Sequence, residues 1–520
     1  MTAPADSLLA RTATDSLLAR TARGASWVVA WRMMTRVLGL ISTLVLVRLL
    51  LPADFGLVAL ATAFAVSLDI CLAIGVEDQI VRARDPQPVL YDTAFTLNLI
   101  RGLFLAVLIA VAAAPAAQFF GDMRLERILF ALAFSAAVSG ATNIGVADFR
   151  RRMEFDKEFR LQFYPRVAGI AAVIVAAFVL RSYWALIIGI LTNRFALVAM
   201  GHVMSPYRPR LSLAAWRDLV GVSTWTWGIG VASVLRDRAD SFFVGRILGL
   251  PPLGLYAVAH EVASLPTSEL VDPICRACMP GFATALRGED VGGVRSAYLR
   301  INALVALLTI PAGVGMSLIA GPLIALAFGQ GWVDAVPVAA ILAVAFTMTL
   351  FGNVSVALLN AKTLLRTILV VTAGAALLRV LLLVLLMPHF GLVGAGISLG
   401  LALVAEHVTL VGLALRMVGL GAWSFLACLR RPAIAAAAMA LVLWGCGLGW
   451  VAPPRDAAIA IWHLLAAIGL GATVFIGSVA AMWRLAGCPA GAETDLLALL
   501  THLAGRLRLP GGGQMAARGG

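Results

Sequence analysis

Charged side chains inside otherwise apolar stretches are the residues of this chain that could carry out chemistry. Arg32 and Arg36 are four residues apart in the first such stretch, so a helix places both on one face. A guanidinium group donates two parallel hydrogen bonds to phosphate oxygens. The pattern predicts a water-filled cationic cavity for a phosphate-bearing substrate, and its candidate residues are Arg32, Arg36, Arg101, Arg194, Arg236 and Arg379.

Three further residues in apolar stretches could couple an ion or pair structurally. Asp240 follows Arg236 by four residues, so the two can pair on one helix face. Glu406 and His407 are adjacent and could bind a proton. A different interpretation covers all of these charges: they reach the nearer membrane surface, or pair with each other, without contacting a substrate. The sequence leaves both interpretations open.

The stretches that hold these residues are long enough to cross a membrane. The 520-residue chain is 61% hydrophobic and 13% charged, against about 25% charged in a typical soluble domain. A membrane span needs about 20 apolar residues. The sequence predicts an all-α polytopic membrane protein with about fourteen spans, at residues 25–49, 56–77, 93–118, 128–147, 164–180, 183–203, 218–245, 252–281, 297–323, 334–359, 364–387, 391–416, 432–451 and 456–483.

Basic residues predict how these spans are oriented. When the N-terminus is placed in the cytoplasm, most of the 40 Lys and Arg residues lie in cytoplasmic segments, as expected for short loops of membrane proteins. The net charge of +13 therefore reflects topology, and no nucleic-acid partner is expected. We predict a multi-pass protein of the bacterial inner membrane, with cytoplasmic tails at residues 1–23 and 485–520.

An internal repeat predicts two lobes. Residues 47–61 match residues 245–259 at an offset of 198 positions, so that Gly56 corresponds to Gly254. Six spans separate the copies, which gives both copies the same orientation in the membrane. The predicted division is an N-lobe with spans 1–6 at residues 24–203, a C-lobe with spans 7–12 at residues 204–416, and spans 13–14 at residues 417–484.

Sequence motifs exclude several other functions. The chain has no phosphate loop, dinucleotide fingerprint or metalloprotease motif, so we expect neither a cofactor nor a metal. Cys275 and Cys278 form a lone C-x-x-C without a second pair, which indicates small apolar filler and not a zinc site.

The chain resembles the polysaccharide-transporter (Wzx-type) branch of the MOP flippase superfamily. Three stretches carry the resemblance: residues 24–27 followed by 48–56, residues 240–249 continuing through 253–257 to Leu265-Pro266, and residues 151–155 after span 4. The paired hairpin signatures are fairly specific when they occur together.

This resemblance implies a 6+6 helix fold with alternating access to a cavity between the lobes. The implied substrate is an oligosaccharide on undecaprenyl pyrophosphate, moved from the inner to the outer leaflet for lipopolysaccharide O-antigen, capsule or exopolysaccharide assembly. Arg32 and Arg36 are the best matches to the family's cationic cavity residues. The implied partners are this substrate, membrane lipids, a polysaccharide polymerase and a chain-length regulator.

Three alternatives remain beside this interpretation. A multidrug antiporter of the same superfamily would favour an acidic cavity, and the spanning arginines weigh against it. A flippase for the peptidoglycan precursor would need the same cations. A membrane-embedded polymerase or glycosyltransferase is an enzyme that normally carries a large external loop with catalytic carboxylates, and the predicted external loops are short.

If Arg32 and Arg36 bind the substrate, replacing either one by Ala should reduce surface polysaccharide, and Lys should partly restore it because the positive charge returns. Surface polysaccharide is measured at matched expression. Normal export by well-expressed Ala variants would remove both residues from the mechanism.

Overall fold

Two compact units make up the computed structural model. It describes residues 34–265 except 36, 74, 84, 85 and 220–223, together with residues 282, 291–452, 454–489 and 491–496. The first unit comprises Met1–Ala257 with Ala327–Trp332, and the second comprises Val258–Leu326 with Val333–Gly520. The regular elements among the described residues of both units are all helices, and no strand occurs there.

The first unit contains counterparts of the six predicted N-lobe spans, three short helices, and counterparts of the first two predicted C-lobe spans. They are α1 (Val37–Leu49), α2 (Pro52–Cys71), α3 (Val76–Arg82), α4 (Pro88–Phe120), α5 (Arg124–Gly140), α6 (Ala147–Arg151), α7 (Phe155–Leu180), α8 (Trp184–Met204), α9 (Trp216–Leu219), α10 (Thr224–Ile247) and the start of α11 (residues 250–265). A short 3₁₀ helix, Ile144–Val146, joins α5 to α6.

The second unit contains the remaining helices. They are α12 (Val291–Ala327), α13 (Val336–Ala361), α14 (Leu365–Val418), α15 (Ala422–Gly445) and α16 (Ala457–Leu485). A 3₁₀ helix, Gln330–Ala335, precedes α13.

Helix α14 is a hairpin of two antiparallel spans. A straight helix of its 54 residues would be about 80 Å long, far more than the roughly 30 Å hydrocarbon core of a bilayer. The backbone reverses at Gly391, whose φ is +55°. A Cβ on Gly394 would lie 2.5 Å from the carbonyl oxygen of Leu386, which shows that the second arm folds back against the first.

The all-α polytopic fold is confirmed. Nine helices within the described ranges are long and apolar enough to cross a membrane, or ten when the bent pair Arg124–Gly140 and Ile144–Arg151 counts as one span. Helix α14 counts once in this number although it holds two predicted spans. Helix α10 falls outside it, and its sequence carries several charges. The figure of fourteen spans stays a prediction, as do the predicted lobe boundaries.

The internal repeat has a structural counterpart inside the first unit. A Cβ on Gly56 would lie 1.9 Å from the carbonyl oxygen of Leu250, and a Cβ on Gly254 would lie 1.9 Å from that of Pro52. Gly254 lies 198 positions after Gly56, and Leu250 lies 198 positions after Pro52. The two contacts are therefore related by the offset found in the sequence. The two matching hairpins therefore meet backbone to backbone in a reciprocal contact that only glycine permits.

A helix in each unit ends in a left-handed turn at a residue other than glycine. Met153 and Thr363 are 210 positions apart and both adopt a left-handed backbone, with φ of 56° and 58°. The Glu154 amide donates to the Phe149 carbonyl in the first turn, and the Leu364 amide donates to the Leu359 carbonyl in the second. The same turn thus ends α6 in the first unit and α13 in the second.

A strap of residues 205–215 fastens the segment after α8 to the start of α4. The Tyr207 hydroxyl donates to Asp92 Oδ1 at 2.5 Å, and the Ser212 amide donates to Thr96 Oγ1 at 2.9 Å. Burial raises the pKa of Tyr207, and the hydrogen bond to Asp92 raises it further. The strap is part of the first unit.

Replacing Gly56 with Ala should lower the melting temperature of the detergent-solubilised protein, because the new methyl group overlaps the Leu250 carbonyl. Overpacking of this kind costs about 1–3 kcal/mol. Gly374→Ala is the matched control, since a Cβ at Gly374 meets no atom within 4 Å. Equal melting temperatures for the two variants would contradict the reciprocal contact.

Candidate functional site

Four helices of the first unit enclose a cavity of about 120 Å³. The helices are α2, α4, α5 and α8, and apolar side chains form much of the wall. Its polar lining residues are Thr62, Asp69, Arg101, Ser135, Ser139 and Arg194. Two of the six arginines predicted from the sequence, Arg101 and Arg194, are therefore brought together.

A close crossing of α4 and α5 forms one wall of this cavity. A Cβ on Gly102 would lie 2.5 Å from the Cα of Gly140, so the two backbones touch. Asn98 Nδ2 donates to the Gly140 carbonyl at 3.3 Å across the same crossing. This contact fixes Arg101, the neighbour of Gly102, relative to the two serines of α5.

Arg101 forms an ion pair with Asp69 of α2. Its Nη1 lies 2.5 Å from Asp69 Oδ1, and its Nη2 donates to Asn98 Oδ1 at 3.3 Å. The Arg101 side chain is 20% exposed and the Asp69 side chain 47% exposed. The pair is therefore accessible from the cavity and is not sealed inside the helix packing.

Arg194 supplies a second positive charge from α8. Its side chain is half-buried and lies within electrostatic range of both Asp69 and Arg101. Within the described part of the chain it makes no direct hydrogen bond or ion pair. The cavity thus holds two guanidinium groups against one carboxylate, and its excess charge is positive.

Sequence reasoning missed Asp69. A signal was present, because a carboxylate within the apolar α2 is unusual. The cavity-lining residues Thr62, Val66 and Asp69 recur three or four positions apart, which is the spacing of one helix face. The ion pair itself joins residues 32 positions apart and depends on how α2 packs near α4.

Arg32 and Arg36 lie outside the described residues, so their predicted role in the cavity stays a prediction. Arg236 of α10 donates from Nε to Asp237 Oδ1 at 2.8 Å. Asp240 is buried, with 3% of its surface exposed. Pairing between Arg236 and Asp240 likewise stays a prediction.

The other predicted residues are buried in the α14 hairpin of the second unit. Arg379 lies on its first arm, and Glu406 and His407 lie on its second. The His407 ring packs tightly on α13, because a Cβ on Gly352 would lie 1.8 Å from His407 Nδ1. None of the three lines the cavity of the first unit.

Comparison with known proteins decides the family. The model of the family described as "Polysaccharide biosynthesis protein" matches residues 45–337, more than half of the chain. The chain belongs to this family. It is 24% identical over 347 residues to the lipopolysaccharide biosynthesis protein WzxC of Escherichia coli (strain K12), covering 65% of this chain and 69% of that protein.

Solved structures place this polysaccharide biosynthesis protein in a known fold. It superposes on the lipid II flippase MurJ in an inward closed conformation with a TM-score of 0.69, at 13% identity, over 88% of this chain and 98% of MurJ. An inward-facing multidrug resistance MATE transporter of the MOP superfamily gives a TM-score of 0.59, at 16% identity, over 74% of this chain and 94% of the transporter.

The predicted family, a Wzx-type polysaccharide flippase with the fold of the MOP superfamily, is confirmed. The protein is a multi-pass membrane protein that serves transport in polysaccharide biosynthesis.

A second and larger cavity of the flippase is apolar. It has a volume of about 820 Å³ and lies within the second unit, lined by α12, α15 and α16. Arg484 and Glu493 are the charged residues of its lining, and Glu493 accepts a hydrogen bond from Arg431 Nη1 at 2.9 Å. Hydrocarbon suits this lining, whereas the cavity of the first unit suits an anion.

Proposed function

We propose that this flippase carries an oligosaccharide on undecaprenyl pyrophosphate from the inner to the outer leaflet of the bacterial inner membrane by alternating access. Arg101 and Arg194 bind the diphosphate in the cavity of the first unit. Both chain termini lie in the cytoplasm. The observation that carries the proposal is the excess positive charge of a cavity built from membrane-spanning helices.

The energetics of charge in a membrane support this assignment. An arginine at mid-bilayer costs about 2.5–3.5 kcal/mol on insertion scales, and Asp69 offsets this cost for only one of the two arginines. A diphosphate supplies several anionic oxygens that accept charge-assisted hydrogen bonds from guanidinium groups. Such bonds are stronger in a half-buried cavity than in bulk water.

The size of the cavity limits what it can hold in this conformation. Its 120 Å³ is enough for a few water molecules, or for the phosphate part of a lipid headgroup in their place. The oligosaccharide is much larger and therefore has to be accommodated by another conformation. The cavity accordingly serves as the recognition point for the headgroup phosphates.

The functions that the names of related proteins state agree with the proposal. WzxC is a lipopolysaccharide biosynthesis protein, and MurJ is a flippase for lipid II. The excess positive charge disfavours a cationic drug as the substrate. The proposed role is transport and not catalysis, and a polysaccharide polymerase and a chain-length regulator are the proposed partners that use the delivered lipid.

Replacing Arg101 or Arg194 with Ala should lower surface polysaccharide about tenfold or more, because each variant loses a charge-assisted contact worth roughly 1.5–3 kcal/mol. Lys at either position should restore part of the export. The measurement is surface polysaccharide per cell, normalised to the flippase in isolated membranes.

Arg160→Ala is the matched control, because Arg160 is 60% exposed and lies away from the cavity, near Asp156. Full export by the Arg101→Ala and Arg194→Ala variants at control expression levels would refute diphosphate binding in this cavity.

A further inference from the structure

We propose that Asp69 is an internal competitor of the substrate diphosphate, holding Arg101 while the site is empty and releasing it when two phosphates bind. Asp69 thereby sets a preference for a lipid diphosphate over a lipid monophosphate. The inference rests on the proposed function, since it specifies how the same cavity selects its ligand.

The first support is that Asp69 is held by a single partner. Among the described residues, its side chain hydrogen-bonds and pairs only with Arg101, through one oxygen. Nearly half of the Asp69 side chain is exposed. A carboxylate in this position can move away from Arg101 into the cavity or toward water. No buried donor is then left without an acceptor, provided that an anion takes the place of the carboxylate on Arg101.

The second support is that Arg101 has an anchor of its own. Its Nη2 donates to Asn98 Oδ1, a residue on the same helix. Asn98 in turn donates to the Gly140 carbonyl at the close crossing of α4 and α5. The guanidinium group therefore keeps its position when Asp69 withdraws, and it presents Nη1 to an incoming oxygen.

The third support is the asymmetry between the two arginines. Arg101 is neutralised by direct contact with Asp69, whereas Arg194 has no direct partner among the described residues. A monophosphate can occupy Arg194 and leave the Asp69–Arg101 pair intact, but it then remains close to the Asp69 carboxylate. A diphosphate reaches both arginines and replaces Asp69 with its second phosphate, so it gains a contact that the monophosphate lacks.

Among the described residues that line the cavity, no other acid is available for this exchange. The remaining polar lining residues are hydroxyl groups from α2 and α5, namely Thr62, Ser135 and Ser139. Asp69 is the one carboxylate among the lining residues. Its return to Arg101 after transport also provides a path for product release, because an internal anion takes the place of the departing one.

The test compares two lipid probes on the purified full-length protein in detergent. Undecaprenyl monophosphate and undecaprenyl diphosphate are titrated against wild type and Asp69→Asn, and binding is measured by native mass spectrometry. We expect wild type to prefer the diphosphate by about tenfold. Asp69→Asn should bind both lipids more tightly because the competing charge is gone, with the larger gain, about tenfold, for the monophosphate, so that the preference narrows.

Two further variants complete the comparison. Asp122→Asn is the matched control, because Asp122 also pairs with an arginine, Arg124, but lies on the turn between α4 and α5; its affinities should equal those of wild type. Asp69→Glu keeps the carboxylate and should retain the preference. Melting temperature and elution profile show that each variant is folded.

The outcomes separate this inference from the proposed function. If wild type binds the diphosphate, loses that binding in Arg194→Ala, and keeps an unchanged preference in Asp69→Asn, then the competitor role is refuted and the proposed function stands. If Asp69→Asn weakens binding of both lipids, Asp69 supports the site instead of competing for it, and the inference fails. If wild type binds neither lipid, both proposals fail.

Discussion

The ion pair between Asp69 and Arg101 is the interaction on which the candidate site depends. A lone arginine among membrane-spanning helices is costly, and a neighbouring carboxylate reduces that cost. With only one carboxylate for two arginines, the cavity is stable enough to form yet remains positively charged. A cavity with one carboxylate for each arginine would not attract an anion. A cavity with no carboxylate would make the helices harder to insert into the membrane.

Glycine contacts allow this arrangement to be held firmly. The crossing at Gly102 and Gly140 brings two helices together without intervening side chains, and Gly169 and Gly189 do the same for α7 and α8. Helices in a membrane gain little from burying apolar surface against each other, since lipid is equally apolar. Close backbone packing therefore provides much of the attraction, and it leaves the longer polar side chains to line the space between the helix pairs.

Much of the fold could be predicted from the sequence, because membrane spans are recognised from the composition and length of apolar stretches, which depend on local residues alone. Most predicted spans coincide with described helices, and the repeat correctly paired Gly56 with Gly254. The site was accessible only in part. Arg101 and Arg194 stood out as charges in apolar surroundings, whereas the role of Asp69 depends on a tertiary contact that no spacing encodes. The same reasoning assigned Arg379 to the cavity and Glu406 to ion coupling or structural pairing. The structure buries both in the α14 hairpin, and their roles stay predictions.

The reciprocal contact between Gly56 and Gly254 has an evolutionary consequence. In a symmetric dimer, residue i of one chain meets residue j of the other, and the converse contact is identical. The contacts of Gly56 with Leu250 and of Gly254 with Pro52 obey this rule within a single polypeptide. The local geometry is that of two equivalent hairpins meeting about a two-fold axis, so a gene duplication that fused such a dimer would have inherited this contact.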